Sequence, residues 1–445
     1  MTAAITDAYK KVSLTALKSD VDGPNNYYMV LGNSIDWNAL DSAPGSQDSD
    51  ISSSVFVRHA RDGFQSYKVV ESVSLVIPRV DWTFGTIYEE YDDLIPGNDT
   101  AFYVMNEDLE VYLVLQQGKE IDGTPKQSTI LPTGLADPIV NPILKTSDGY
   151  VWRYLYQILP ENANAFITSN FVPIKFATDG VQLDIQNAAV NGQILNIQLD
   201  SASTGINYST SFAVTFLGDG SGAMATAYAD ADSGRITHIH MDSDAGSIQY
   251  GINYTRALID LSAGGGTGGV VRAVMSPPGG IGADATTDLN ADSLMFNTKF
   301  RGNENGSIVI ENDFRQISIV KNPLVYGTTD VLATTTANAL KKLTVTGGQE
   351  FAFDELITGA SSDAKAYVDF YESGVIYYHQ TPDTGYGVFD VSEVISGDQA
   401  HSGTITAINN PDVNINTGEV IYIDNRSAIT RSNTQTEDIK LVIKL

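Results

Sequence analysis

Residues 192–228 read GQILNIQLDSASTGINYSTSFAVTFLGDGSGAMATAY, and residues 234–270 read GRITHIHMDSDAGSIQYGINYTRALIDLSAGGGTGGV. Gly205-Ile-Asn-Tyr208 returns as Gly251-Ile-Asn-Tyr254, and Gly218-Asp-Gly-Ser-Gly222 returns as Gly264-Gly-Gly-Thr-Gly268, both at an offset of 46 residues. Upstream, Gly192-Gln-Ile-Leu-Asn-Ile197 aligns with Gly234-Arg-Ile-Thr-His-Ile239 at an offset of 42, so the second copy carries four extra residues between these landmarks. Each copy reads as strand, turn, strand, glycine turn, strand. After the glycine turn Ala223, Ala225 and Ala227 alternate with Met224, Thr226 and Tyr228, giving one small-residue face that admits a close neighbour. Two copies are too few for a solenoid and predict a compact duplicated β unit.

Working outward, Val181–Ser276 contains no Lys, Glu or Pro, and Trp37, Trp82 and Trp152 all precede it. The shift marks residues 179–276 as an inserted module. A weaker duplication follows: Phe351-x3-Glu355-Leu-Ile357-Thr-Gly359 matches Phe389-x3-Glu393-Val-Ile395-Ser-Gly397 at an offset of 38, with Phe and Ile as core residues and Gly as the turn. Residues 340–410 thus read as a second small β module, leaving 1–178, 277–339 and 411–445 as a discontinuous core. Short alternating runs predict strands at Tyr27–Leu31, Ser74–Val80, Leu109–Gln116, Tyr150–Ile158, Phe171–Phe176, Gln316–Lys321, Val420–Ile423 and Ile439–Ile443. Helices are expected only at Thr6–Lys18, Glu161–Thr168 and Ala285–Ser293. The fold class is mainly β: a multi-layer, sandwich-like core with a few short helices and two inserted β modules.

The chain carries 26 Lys+Arg against 54 Asp+Glu, a formal charge of −28, and no cysteine. Disulfide scaffolds, cysteine zinc sites and thiol catalysis are excluded. Binding to nucleic acid or an anionic membrane needs clustered basic residues, and none occur. No apolar run reaches signal-peptide or membrane-spanning length, so the expectation is a soluble protein made in the cytoplasm. H-E-x-x-H, G-x-S-x-G and phosphate-loop patterns are all missing, and no pair among the many carboxylates is singled out as a glycosidase pair. His238-x-His240 is the best metal candidate, because residues two apart on a strand share a face. Its counterparts in the first copy are Asn196 and Gln198, which favours a polar, solvated face. The glycine clusters read as turns, and Asp230/Asp232 and Asp242/Asp244, neither of which fits the twelve-residue calcium loop with its terminal Glu, as solvated loop charges open to adventitious ions. In the adjacent pairs Tyr27/Tyr28 and Tyr377/Tyr378, alternation predicts one ring in and one out. No catalytic residue, cofactor, metal site or small-molecule substrate is assigned.

Several stretches, taken in order, resemble a known family. They are Asn26-Tyr-Tyr-Met-Val-Leu-Gly32, Ile77-Pro-Arg-Val-Asp-Trp82, Phe102-Tyr-Val-Met-Asn106, Ser147-Asp-Gly-Tyr-Val-Trp-Arg-Tyr-Leu-Tyr156, Ser276-Pro-Pro-Gly-Gly280, Asn312-Asp-Phe-Arg-Gln316, Gly418-Glu-Val-Ile-Tyr-Ile-Asp-Asn-Arg426 and Gln435-Thr-Glu-Asp-Ile-Lys440. Together they look like the eighth-gene-product class of baseplate wedge subunits of T-even-type contractile-tailed phages, in the longer form of marine cyanobacterial phages. The resemblance implies a non-enzymatic, mostly β virion protein that dimerises within each wedge and contacts neighbouring wedge proteins. Shorter relatives lack the bulk of the two repeat-bearing segments. Arg315, Arg426 and Arg431 are the candidate interface residues, through local pairs with carboxylates. The competing reading is a receptor-binding or glycan-active β-structured virion protein, since duplicated β modules also serve as glycan-binding scaffolds.

Overall fold

The computed structural model describes residues 6–32, 53–94, 101–134, 139–175, 177, 180–244, 247–347 and 349–445. The protein is mainly β, built from antiparallel sheets with a few short helices. Seven of the eight expected strands lie wholly within the described residues and form there; the eighth runs Phe171–Pro173, and Phe176 lies outside the described residues. The chain divides into two compact units, one chiefly Ser74–Leu294, the other Ala16–Val73 with Met295–Ile443.

In the first unit Tyr103–Met105, Glu110–Gln116, Val151–Gln157 and Ile143–Lys145 form a four-stranded sheet in that order. The aromatic residues of Tyr150-Val-Trp-Arg-Tyr154 recur every second position, so Tyr150, Trp152 and Tyr154 share one face with Tyr88 and Tyr112. Trp152 stacks on Tyr150 at 5.3 Å and meets Tyr88 edge-on at 5.9 Å. A bulge between Val111 and Tyr112 shifts the register, and Tyr156 leaves this cluster.

The duplicated module lies in the same unit, and its copies are exchanged. Strand Ile194–Ile206 of the first copy pairs with Thr267–Met275 of the second, Ile206 opposite Thr267. Strand Tyr250–Ile252 of the second copy pairs with Ser221–Ala223 of the first, Ile252 opposite Ser221. These residues are equivalents in the repeat, so one contact is made twice, each time between copies. Gly205 and Gly251 share a positive φ of 71° and 69°, and Asn207 and Asn253 both have φ 61°. Tyr254 donates its N–H to the Gly192 carbonyl at 3.1 Å, and Tyr208 donates to that of Gly234 at 3.0 Å. The glycine clusters are the seats for the two tyrosine rings. A Cβ on Gly220 would run into Tyr254, and one on Gly266 into Tyr208. Arg272, paired with Asp92 and Asp93, ties the module to the unit that carries it.

In the second unit Thr336–Asn338, Phe64–Val69, Tyr27–Gly32, Asp313–Lys321 and Glu419–Thr430 form a five-stranded sheet. Every residue of the central strand Tyr27–Gly32 is buried, so Tyr27 and Tyr28 both point into packed layers. The expectation of one ring outward fails there, because the strand is covered on both faces. It describes the other pair, where Tyr378 is buried and Tyr377 is half-buried beneath Lys342, 5.2 Å from its ring centre.

Six strands between Lys341 and Asn409 close into a barrel. Phe351, Phe389, Ile357 and Ile395 all enter its core, as the weaker duplication suggests. Gly359 and Gly397 are not turns. They end paired strands, Gly359 opposite Ile395 and Gly397 opposite Ile357, and each lies against the glutamate of the other copy. Glu393 accepts from the N–H groups of Asp390 (2.7 Å), Ser361 (3.0 Å) and Ser362 (3.1 Å). Glu355, fully buried, accepts from the Ala352 N–H at 2.8 Å and pairs with His401 at 2.8 Å. Burial works to raise the pKa of Glu393, but the backbone N–H groups and the Ser362 hydroxyl outweigh it and bring the pKa from 4.5 to about 2. His379, buried beside Asp369 at 2.7 Å, moves the other way: burial opposes its charge, yet Asp369 raises its pKa above 6.5.

Two tests follow from this packing. Gly220→Ala and Gly266→Ala are each expected to cost about 1–3 kcal/mol of stability in urea unfolding, by the same overpacking at equivalent sites. Because its folded pKa is depressed, Glu393 stabilises fully above pH 4.5 and loses that contribution as pH falls towards about 2. His379, with its folded pKa raised, stabilises fully below pH 6.5 and loses that contribution as pH rises through its folded value. Melting temperature against pH is expected to lose part of its acid limb in Glu393→Gln and part of its alkaline limb in His379→Gln.

Candidate functional site

The first unit carries a cleft of about 510 Å³. Its walls come from strands Ile194–Ile206 and Ile236–Met241 of the module, from Gln116–Gly123, and from Glu90. The Asp122-Gly123 turn comes so close to the module strand that a Cβ on Gly123 would strike the Thr237 carbonyl. Glycine there lets the rim close.

Both histidines line the cleft, on one face of their strand as alternation requires. Their rings lie 4.7 Å apart between centroids, and His238 stacks on Tyr228 at 4.8 Å. His238 Nδ1 meets the Thr237 hydroxyl at 3.0 Å, and His240 Nδ1 is hydrogen-bonded to the Gln116 amide. Among the described residues no third His, Asp or Glu joins them in a group suited to hold a metal ion.

The expectation of a solvated polar face is corrected here. Asn196 is buried and donates to the carbonyls of Tyr91 (2.8 Å) and Leu115 (3.1 Å). Gln198 donates to Glu90 at 2.8 Å, and Glu90 also accepts from the Gln117 N–H at 3.1 Å. The physical reason is tertiary: Asn196 packs on the sheet carrying Leu115, while Gln198, His238 and His240 remain half-buried along the cleft.

The electrostatics follow from enclosure. Desolvation pushes the Glu90 carboxyl upward, against the pull of Lys119 and its two amide donors. Lys119 is held by the side chain of Gln117. Desolvation, with His238, Lys145 and Lys119 adding repulsion, lowers His240 to about 4. His238 is lowered by desolvation and by Lys119. At neutral pH the cleft thus holds two uncharged imidazoles and three carboxamides, with Glu90, Asp122 and Asp230 set against Lys119 and Arg235. Glu90, Gln116, Gln117 and Lys119 are lining residues that sequence reading did not find. Their spacing carries no motif, and only the packing of the module against Gln116–Gly123 gathers them.

Elsewhere Asp230 accepts from the N–H (2.8 Å) and hydroxyl (2.7 Å) of Ser233, forming a local turn. Asp242 accepts from Thr226 at 2.9 Å, while the side chain of Asp244 lies outside the described residues. Of the three arginines, Arg431 is 1% exposed and donates to the carbonyls of Val309 (3.2 Å) and Gly302 (2.9 Å) besides pairing with Glu437. Arg315 is buried against Asp313 at 2.7 Å. Arg426, about one-third exposed, pairs with Asp424 at 3.0 Å and is the most accessible of the three. No helix among the described residues is long and apolar enough to cross a membrane. In comparison with known proteins the chain matches no family model and no curated sequence.

The depressed basicity of His240 is directly measurable. Its folded pKa lies below the unfolded 6.5, so the imidazole opposes folding increasingly as pH falls from 6.5 towards about 4. Histidine NMR titration is expected to place the His240 midpoint near pH 4; a midpoint near 6.5 would mean that the ring is solvated.

Proposed function

We propose that this protein is a structural subunit of the baseplate wedge of a contractile-tailed phage, joining neighbouring wedge proteins through protein–protein contacts and carrying no catalytic step. The reading places it in the virion tail, as a homodimer. One observation carries it: the ordered series of family-like motifs from Asn26 to Lys440, of which Asn26–Gly32, Ser147–Tyr156 and Asn312–Gln316 overlap inner strands of the two units' sheets and Gly418–Arg426 overlaps the edge strand beside Asp313–Lys321. The repeat-bearing module and the barrel fall between these motifs, as additions to a shared framework would.

Charge constrains how two such chains meet. Each brings −28, so a dimer contact must overcome net repulsion. The arginines offer little: Arg431 and Arg315 are engaged within their own unit. Exposed apolar side chains are more plentiful. The barrel alone presents Phe353, Tyr386, Val388, Val391 and Val394. Added salt screens the repulsion over a Debye length that shrinks from about 10 Å at 0.1 M to about 3 Å at 1 M, and leaves apolar burial intact. Sedimentation velocity is expected to show a dimer that holds or tightens as NaCl rises. Dissociation with salt would mean that complementary ion pairs dominate, and a monomer throughout would remove the dimeric wedge reading.

A further inference from the structure

We infer that the cleft between strands Ile194–Ile206 and Ile236–Met241 binds an uncharged, hydroxyl-rich small molecule, a saccharide of one or two rings. Its volume, about 510 Å³, falls within the range of small-ligand sites.

The lining is rich in planar polar side chains that combine donor and acceptor capacity: Gln116, Gln198, His238 and His240. A hydroxyl is also donor and acceptor at once, and vicinal hydroxyls match such groups in pairs. Ionic ligands are less well served. Lys119 and Arg235 are balanced by Glu90, Asp122 and Asp230 in the same walls, and the imidazoles are neutral. The overall −28 disfavours phosphates further. A transition metal finds two imidazoles and, among the described residues, no third ligand grouped with them.

The polar groups are also fixed in place. Gln198 is held by Glu90, His240 by Gln116, and Lys119 by Gln117. Such support lowers the ordering cost of binding. The two copies of the repeat make the point by contrast. Asn196 is consumed in bonds to the backbone at Tyr91 and Leu115, whereas His238 and His240 are bonded through Nδ1, and among the described residues neither Nε2 has a protein partner. Asn196 thus secures the module, while its counterpart His238 keeps hydrogen-bonding capacity in the cleft.

The inference is independent of the proposed assembly role, and the test uses the intact chain. Glucose, galactose, mannose, N-acetylglucosamine and their common disaccharides would be titrated while the histidine and glutamine side-chain resonances are followed by NMR, with Ni²⁺ and inorganic phosphate as separate arms. At least one neutral sugar is expected to shift His238, His240 and Gln198 resonances with a dissociation constant on the order of 1 mM or tighter. Gln198→Ala and His238→Ala are each expected to weaken it by about tenfold or more, with the melting temperature of each variant checked alongside. If either variant fails to fold, the wild-type resonance shifts still decide. The inference is overturned if no sugar of the panel perturbs these residues, if binding survives both substitutions, or if only Ni²⁺ or phosphate binds there.

Discussion

Glycine sits at the closest approaches of the two copies of the duplicated module, at the Gly-Ile-Asn-Tyr turns and the glycine clusters, where a Cβ would collide with the other copy. Gly205 approaches the backbone N of Gly269, and Gly251 that of Ala223, at distances of 2.6 and 2.7 Å from a notional Cβ. Those contacts let each Gly-Ile-Asn-Tyr turn lean on the glycine cluster of the other copy. Neither copy keeps its full set of strand partners by itself, since the pairings Ile206–Thr267 and Ile252–Ser221 both run between copies. The barrel repeats this logic with different chemistry: Glu355 and Glu393 each reach across to the other copy's glycine. In both modules duplication yields an interlocked unit.

The candidate site is a consequence of that interlocking. Strands Ile194–Ile206 and Ile236–Met241 are equivalents in the repeat, and exchange brings them alongside each other. Gln198, His238 and His240 then share one cleft, with Asn196 committed beside it to the neighbouring sheet and Gln198 held by Glu90, while each histidine is hydrogen-bonded through Nδ1. A surface of this kind can diverge in one copy without unseating the other.

Much of the β framework is legible in the sequence, because short alternating runs bounded by turn residues have a direct physical meaning. The strand holding Val151–Gln157 and the equivalence of Gly205 with Gly251 are of this kind. Helix Ser53–Asp62 is not expected from the sequence; its Arg61 is secured by the carbonyls of Thr417 and Gly418, contacts more than 350 residues away along the chain. Helix Gly180–Asn187 is too short to show a clear period. The expected helix at Ala285–Ser293 stops at Asp288, because Asn290 takes a positive φ of 48° that ends the helix before Ser293 begins a strand. The burial of Asn196 and of both Tyr27 and Tyr28 depends on a second layer that no local pattern encodes. For the same reason the histidine pair is readable as a pair, but not Glu90 or Gln116 beside it.

The central claim is that the two copies of the module open and close as one body. Native-state hydrogen exchange on the intact protein tests this through the amides of Tyr208 and Tyr254, which donate to Gly234 and Gly192. The account predicts matching opening free energies for the two amides, with the same denaturant dependence. It would be contradicted by one copy exchanging through a low-energy opening while the other stays protected.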